Sequence, residues 1–188
     1  MNYKIESTEI SGLYKIHLTI YEDERGSFTE TFRENIYKDM GIKESFVQDM
    51  TSISKKNVLR GMHYQIKKPA GKLISASRGR ILDVAVDIRL NSPTFGKFKT
   101  FELTENDGLQ VYLPPGIAHG FFAIGNINEL RYRSTQYYDP NDEAGLLWND
   151  PDVAVDWGIG SKQPIINERD SNFPRLQEIR QDNLPNLI

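Results

Sequence analysis

Apolar and polar residues alternate along most of the chain, and the alternation breaks at short clusters of Gly, Pro, Asn and charged residues. Period-two patterning of this kind predicts half-buried strands, and the breaks predict turns. In residues 11–21, Tyr14, Ile16, Leu18 and Ile20 share one face while Lys15, His17 and Thr19 share the other, which predicts one strand with a solvated His17. After the charged turn Glu22–Gly26, SFTETF predicts a strand with Phe28, Glu30 and Phe32 on one face. An unpaired carboxylate between aromatic side chains is costly to bury, so Glu30 is expected to meet a donor. Arg33 to Met40 reads as a short helix stopped by Gly41.

Further strands are predicted over 46–54, 80–90, 98–103 and 129–139, and a pair over 109–125 is broken at Pro114, Pro115 and Gly116. In RILDVAVDIRL, Leu82, Val84, Val86, Ile88 and Leu90 are expected to face the packed side, with Asp83, Ala85 and Asp87 on the other. Asp83 is then either solvent-facing or a partner for Lys72. From Pro140 the pattern fades into loop with two tryptophans. Nine or ten short strands with turn signals between them predict an antiparallel sandwich or barrel in one domain, residues 1–188. Helix is expected only near 33–40 and in a turn near the C-terminus.

The densest chemistry lies in VLRGMHYQIKKPAGKL, Val58 to Leu73, which holds Arg60, His63 and Lys72. It reads as a hairpin: a strand ending near Gln65, a Lys/Pro/Gly turn, and a second strand from Lys72. Arg60 and His63 are an odd number of residues apart, so a regular strand would point them to opposite faces. Either Gly61 marks a bulge that re-aims one of them, or Arg60 serves from another angle.

Composition narrows the chemistry. The formal charge is −3 and the pI near 5.7, which argue against a nucleic-acid-binding face. There is no cysteine, so disulfides, thiolate metal sites and a cysteine nucleophile are excluded, and a cytoplasmic setting is expected. No apolar run approaches the length of a membrane span, and the N-terminal residues lack a signal-peptide core. A metal site of the cupin kind asks for two or three histidines and a carboxylate; the candidates are His63, His119 and the remote His17. The motifs of phosphate loops, dinucleotide folds and serine hydrolases are absent. Metal-free acid/base chemistry remains: a histidine base backed by a carboxylate, with a tyrosine acid whose pKa a nearby lysine would lower.

Nine short motifs occur in one order: DERG-x-F-x-E-T-F, VLRG-x-HYQ, GKL, DVAVDIR, SPTFG, P-x-G-x-AHGF, Y-x-x-T-x-YY, W-x-DP and a closing E-R-D. Together they resemble the RmlC-like dTDP-4-dehydrorhamnose 3,5-epimerases from about Tyr21 to Asp170. The resemblance implies an all-β cupin jelly roll with a few short helices, a homodimer, and no metal or organic cofactor. The implied reaction turns dTDP-4-dehydro-6-deoxy-D-glucose into dTDP-4-dehydro-L-rhamnose, for dTDP-L-rhamnose and cell-surface polysaccharide. By matched position, His63 is the base, Asp170 its carboxylate, Tyr132 the proton donor and Lys72 the group that stabilises the enolate oxygen. Tyr138 would stack on thymine, and Arg25, Phe28, Glu30, Gln48, Arg60, His119, Glu143 and Arg169 would contact nucleotide or sugar.

Two departures bear on the substrate. Met50 stands where the family usually has asparagine, which removes a polar contact, and Arg169 stands where lysine is usual. A mono-epimerase acting at C3 or C5 alone, or a cupin that only binds a nucleotide sugar, are the alternative expectations.

Overall fold

The computed structural model describes residues 3–160 and 162–186. Among these, the chain runs β1 (Lys4–Ser7), β2 (Tyr14–His17), β3 (Ile20–Asp23), β4 (Gly26–Thr29), α1 (Glu34–Asp39), β5 (Gln48–Lys55), β6 (Leu59–Gln65) and β7 (Lys72–Arg78). It continues with β8 (Arg80–Asp87), β9 (Phe98–Thr104), β10 (Leu109–Leu113), β11 (Ile117–Ala123), β12 (Ile127–Ser134), β13 (Glu143–Gly145) and α2 (Glu168–Ser171). Two single-turn 3₁₀ helices follow, at Leu176–Glu178 and Gln181–Asn183. The strands form a six-stranded sheet, β1-β2-β10-β7-β12-β5, a five-stranded sheet, β13-β6-β11-β8-β9, and a separate β3-β4 ribbon. Every ladder between these strands is antiparallel. This is the all-β sandwich with short helices that the alternation predicts.

The layers follow from which residues face inward. Ile74, Val111, Leu113 and Leu130 of the six-stranded sheet pack against Ile81, Ala85, Phe101, Leu103, Ile117 and Phe121 of the five-stranded sheet. Each large apolar side chain so buried contributes about 1.5–3 kcal/mol, so this inner layer holds the two sheets face to face. A second cluster covers the back of the five-stranded sheet: Leu59, Met62, Tyr64, Val84, Val86 and Phe122 meet Leu146, Val153, Trp157, Leu176, Ile179 and Leu184 from the C-terminal third. The third cluster packs Tyr37 of α1 and Ile42 on Ile16, Leu73 and Tyr112 behind the other sheet.

Three expectations change. The alternation over 11–21 is divided between two strands, because the chain leaves β2 at Leu18, whose N–H bonds to the Gly108 carbonyl, and re-enters as β3 in the separate ribbon. The Val58–Leu73 stretch is a crossover rather than a paired hairpin: β6 pairs with β11 and β13, whereas β7 pairs with β10 and β12. That crossover sets His63 and Lys72 on opposite sheets. Finally, β8 has no polar outer face. Asp83 and Ala85 point into the sandwich with Ile81, and Val84 and Val86 are covered by the C-terminal segment, so Asp83 is fully buried.

Candidate active site

A β-bulge arranges the central residues. On β11, His119 pairs with His63 of β6 and Phe121 pairs with Arg60, so Gly61 and Met62 together oppose Gly120. The extra residue shifts the parity of the strand, and Arg60 and His63 both reach the cavity between the sheets. Only glycine fits at the bulge. Gly61 has φ +118°, and a Cβ there would stand 2.5 Å from the Gly120 Cα. The cavity has a volume of about 310 Å³.

His63 forms the wall on the five-stranded side. Its Nε2 lies 2.9 Å from Oδ1 of Asp170, which α2 presents with its backbone N–H held by the Asn167 side chain at 2.6 Å. The other Asp170 oxygen accepts the Gly61 N–H at 2.9 Å, and Arg169 Nε donates to Oδ1 at 3.2 Å. Burial alone would raise this carboxyl's pKa; the bonds from His63, Gly61 and Arg169 overcome it and hold it down at about 2. The carboxylate is therefore charged at any ordinary pH and fixes the proton on Nε2. Arg169 Nη2 also lies 3.1 Å from Nε2, but a protonated Nε2 leaves no lone pair there to accept. The free lone pair is on Nδ1, on the cavity side, 4.0 Å from a Glu143 oxygen. Phe173 sets its ring edge-on to the imidazole, 5.7 Å between centroids. It can do so because residue 145, the cross-strand neighbour of His63, is glycine: a Cβ there would fall 2.3 Å from the Phe173 ring.

The facing wall comes from the six-stranded sheet. Tyr132 on β12, paired with Met50 of β5 and Ile74 of β7, lines the cavity together with Met50. Burial raises the Tyr132 pKa, partly offset by the Arg60 guanidinium, so the phenol stays protonated. The lysine expected to lower it is not what acts on it. Lys72 opens β7 in the same cavity, and burial lowers its pKa to about 8 against the pull of Glu143 and Asp83. His119 Nε2 meets Asp83 Oδ2 at 2.7 Å, and burial holds this imidazole's pKa below its ordinary value despite that carboxylate.

At the mouth, the Tyr138 hydroxyl donates to Glu143 at 2.9 Å, Glu143 pairs with Arg169, and the Tyr138 N–H donates to Gln48 Oε1 at 2.8 Å. Tyr138 is half exposed. Gln48 thus holds the rim without lining the cavity.

The structure brings His63, Lys72, Arg60, His119, Tyr132, Tyr138, Glu143 and Arg169 to one cavity, with Asp170 behind His63. It does not bring Arg25, Phe28 or Glu30 there. Arg25 pairs with Asp23 in the exposed turn of the β3-β4 ribbon, and Phe28 is 63 % exposed. Glu30 does meet donors, but they are Tyr3 Oη at 3.0 Å and Arg33 Nε at 2.7 Å. Sequence reasoning missed Ser52, whose buried Oγ has no partner at the cavity wall, Gln65, and the Phe173 support. Gln65 stood in the HYQ motif, and its amide bonds the Lys68 carbonyl and the Asp139 N–H. Ser52 and Phe173 carried no local signal. Among the described residues, no group of three or more His, Asp or Glu side chains is arranged to hold a metal ion.

This two-sheet β-sandwich has known counterparts among epimerases, a class of isomerase. The chain belongs to the dTDP-4-dehydrorhamnose 3,5-epimerase family, whose model matches residues 7–178. The dTDP-4-dehydrorhamnose 3,5-epimerase of Methanothermobacter thermautotrophicus is 40% identical over 94% of this chain and 96% of its own. The crystal structure of dTDP-6-deoxy-D-glucose-3,5-epimerase RmlC from Legionella pneumophila Philadelphia 1, in complex with dTDP-4-keto-L-rhamnose, superposes with a TM-score of 0.96 at 40% identity over all of both chains. ChmJ, a 3′-monoepimerase from Streptomyces bikiniensis seen with dTDP-quinovose, has a TM-score of 0.87 at 30% identity, covering 95% of this chain and 91% of its own.

Proposed function

We propose that this chain epimerises dTDP-4-dehydro-6-deoxy-D-glucose at C3 and C5 to dTDP-4-dehydro-L-rhamnose, on the route to dTDP-L-rhamnose. The observation that carries the reading is that an imidazole and a protonated phenol stand on opposite walls of one cavity. The C4 ketone acidifies the hydrogens on its neighbouring carbons. His63 Nδ1 takes one of them and becomes imidazolium, stabilised by the Asp170 carboxylate at Nε2. The electron pair moves onto the C4 oxygen, where the Lys72 ammonium offsets the developing charge. Tyr132 returns a proton from the other face, so the carbon is inverted, and solvent restores both side chains. A repeat at the second carbon completes the conversion. Arg60, His119 and Arg169 serve the sugar and the diphosphate, and Tyr138 offers a half-exposed ring at the mouth for the base to stack on.

The same reading takes the working form as a cytoplasmic homodimer. Arg25 and Phe28 match nucleotide-contacting positions yet project from an exposed ribbon, and a second subunit is where such a ribbon finds a cavity. The kinship with a 3′-monoepimerase and the methionine at position 50 favour a second reading, inversion at one carbon only. Incubation with dTDP-4-dehydro-6-deoxyglucose in deuterium oxide separates the cases. Two deuteriums per sugar is the expected result, one marks a mono-epimerase, and none marks a protein that only binds.

A further inference from the structure

Of the buried carboxylates that the mechanism leaves unused, Asp83 is the one with an unpartnered oxygen among the described residues. Asp83 lies on the inner face of β8, fully buried among Ile81, Ala85 and the side chains of the facing sheet. One of its oxygens takes the His119 Nε2–H at 2.7 Å, and the other, Oδ1, has no hydrogen-bond partner. A carboxylate removed from water needs a balancing positive charge. His119 does not supply it, since its burial favours the neutral ring. Lys72 lines the same cavity as His119, makes no ion pair with any described residue, and is acted on by the Asp83 charge. We propose that Asp83 is a positioning residue that keeps the Lys72 side chain a cation, so that the ammonium is present when negative charge develops on the substrate.

This inference rests on the reading of Lys72 as the enolate-stabilising group. The other titratable groups lining the cavity with Lys72 are Arg60, His63 and Tyr64 from β6, His119 from β11, Tyr132 from β12, Tyr138 from the loop after it, Glu143 from β13 and Arg169 from α2. Of these Glu143 supports the ammonium more strongly than Asp83 does, but it is shared with Arg169 and Tyr138. Asp83 has no such second partner.

Asp83→Asn keeps the shape and the acceptor for His119 while removing the charge. Without that charge Lys72 loses its proton at lower pH, so the alkaline limb of the kcat profile moves down by about one pH unit or more. Turnover at pH 8 then falls about fivefold or more, while turnover at pH 6 stays within about threefold of wild type. Asp83→Glu restores the limb, and adding Lys72→Arg to Asp83→Asn abolishes the move, because a guanidinium keeps its charge. An unmoved limb in Asp83→Asn, or an equal loss at every pH, overturns the proposal.

A second measurement does not depend on the variant folding: the Lys72 ε-carbon signal in wild-type protein, which titrates near pH 8 if the ammonium is held as described. A midpoint below 7 overturns it. Failure of the wild type to put deuterium into the ketosugar would instead sink the functional reading, while the Lys72 midpoint in wild type compared with Asp83→Asn still tests the coupling of the two side chains.

Discussion

Two imidazole–carboxylate pairs sit side by side across one ladder, His63–Asp170 and His119–Asp83, with His63 and His119 directly opposed. They share residue types and nearly the same hydrogen-bond length, 2.9 Å and 2.7 Å. Their surroundings differ. Asp170 has the Gly61 N–H and Arg169 in addition to its histidine, so it is satisfied without help from any ligand. Asp83 has only its histidine and an unpartnered oxygen. The His63 side chain is 22 % exposed in the open cavity, while His119 is 8 % exposed. A base needs an accessible lone pair and an anion already in place behind it. The first pair provides both. The second pair sets the charge and shape of the wall around Lys72.

The sharpest way to break this comparison is to neutralise the first carboxylate. Asp170→Asn removes the anion that fixes the Nε2 proton, and kcat is expected to fall by about 10²–10⁴ with dTDP binding within a few-fold. Steady-state kinetics beside a dTDP titration check it. Equal losses in kcat from Asp170→Asn and Asp83→Asn at pH 6 would mean that the pairs are not distinct.

Next in size, Tyr132→Phe deletes the returning acid. Inversion is expected to drop by about 10²-fold or more, while solvent exchange at the abstracted carbon falls less because His63 still works. Chiral product analysis alongside deuterium counting reads the two separately.

A smaller effect is acid stability. The Asp170 carboxyl is held at about 2 in the folded protein, below its ordinary 3.8. Its contribution, about 2 kcal/mol, is therefore present above pH 4 and disappears as the pH falls through 2. Urea unfolding of wild type should lose that amount between pH 5 and 2, and Asp170→Asn should lose correspondingly less over the same window.

The smallest expected change in turnover comes from Gly145→Ala. The new Cβ displaces Phe173 from the edge of His63, which costs about 1–3 kcal/mol of stability and loosens the first pair alone. Thermal melts and a mild fall in kcat would register it.

These contrasts explain what was legible beforehand. The sandwich could be read because period-two alternation survives in β8, β11 and β12, where every other residue meets the inner layer. The parity conflict between Arg60 and His63 was legible too, and the Gly61 bulge resolves it in the way a glycine at that spot permits. The burial of Asp83 was not. Alternation assigns two faces to a strand but does not say that both are covered, and the C-terminal segment that covers the back of β8 has no periodicity of its own. The location of Arg25 and Phe28 was hidden for a related reason. A motif match fixes which residue corresponds to which, and leaves open whether a short ribbon folds toward its own chain's cavity or away from it.

Most direct is a deuterium wash-in comparison of His63→Asn with His119→Asn on dTDP-4-dehydro-6-deoxyglucose. The account expects wash-in to fall by about 10³-fold in His63→Asn and to persist, slowed, in His119→Asn. Wild-type exchange rates in His63→Asn, or loss of exchange confined to His119→Asn, would contradict it.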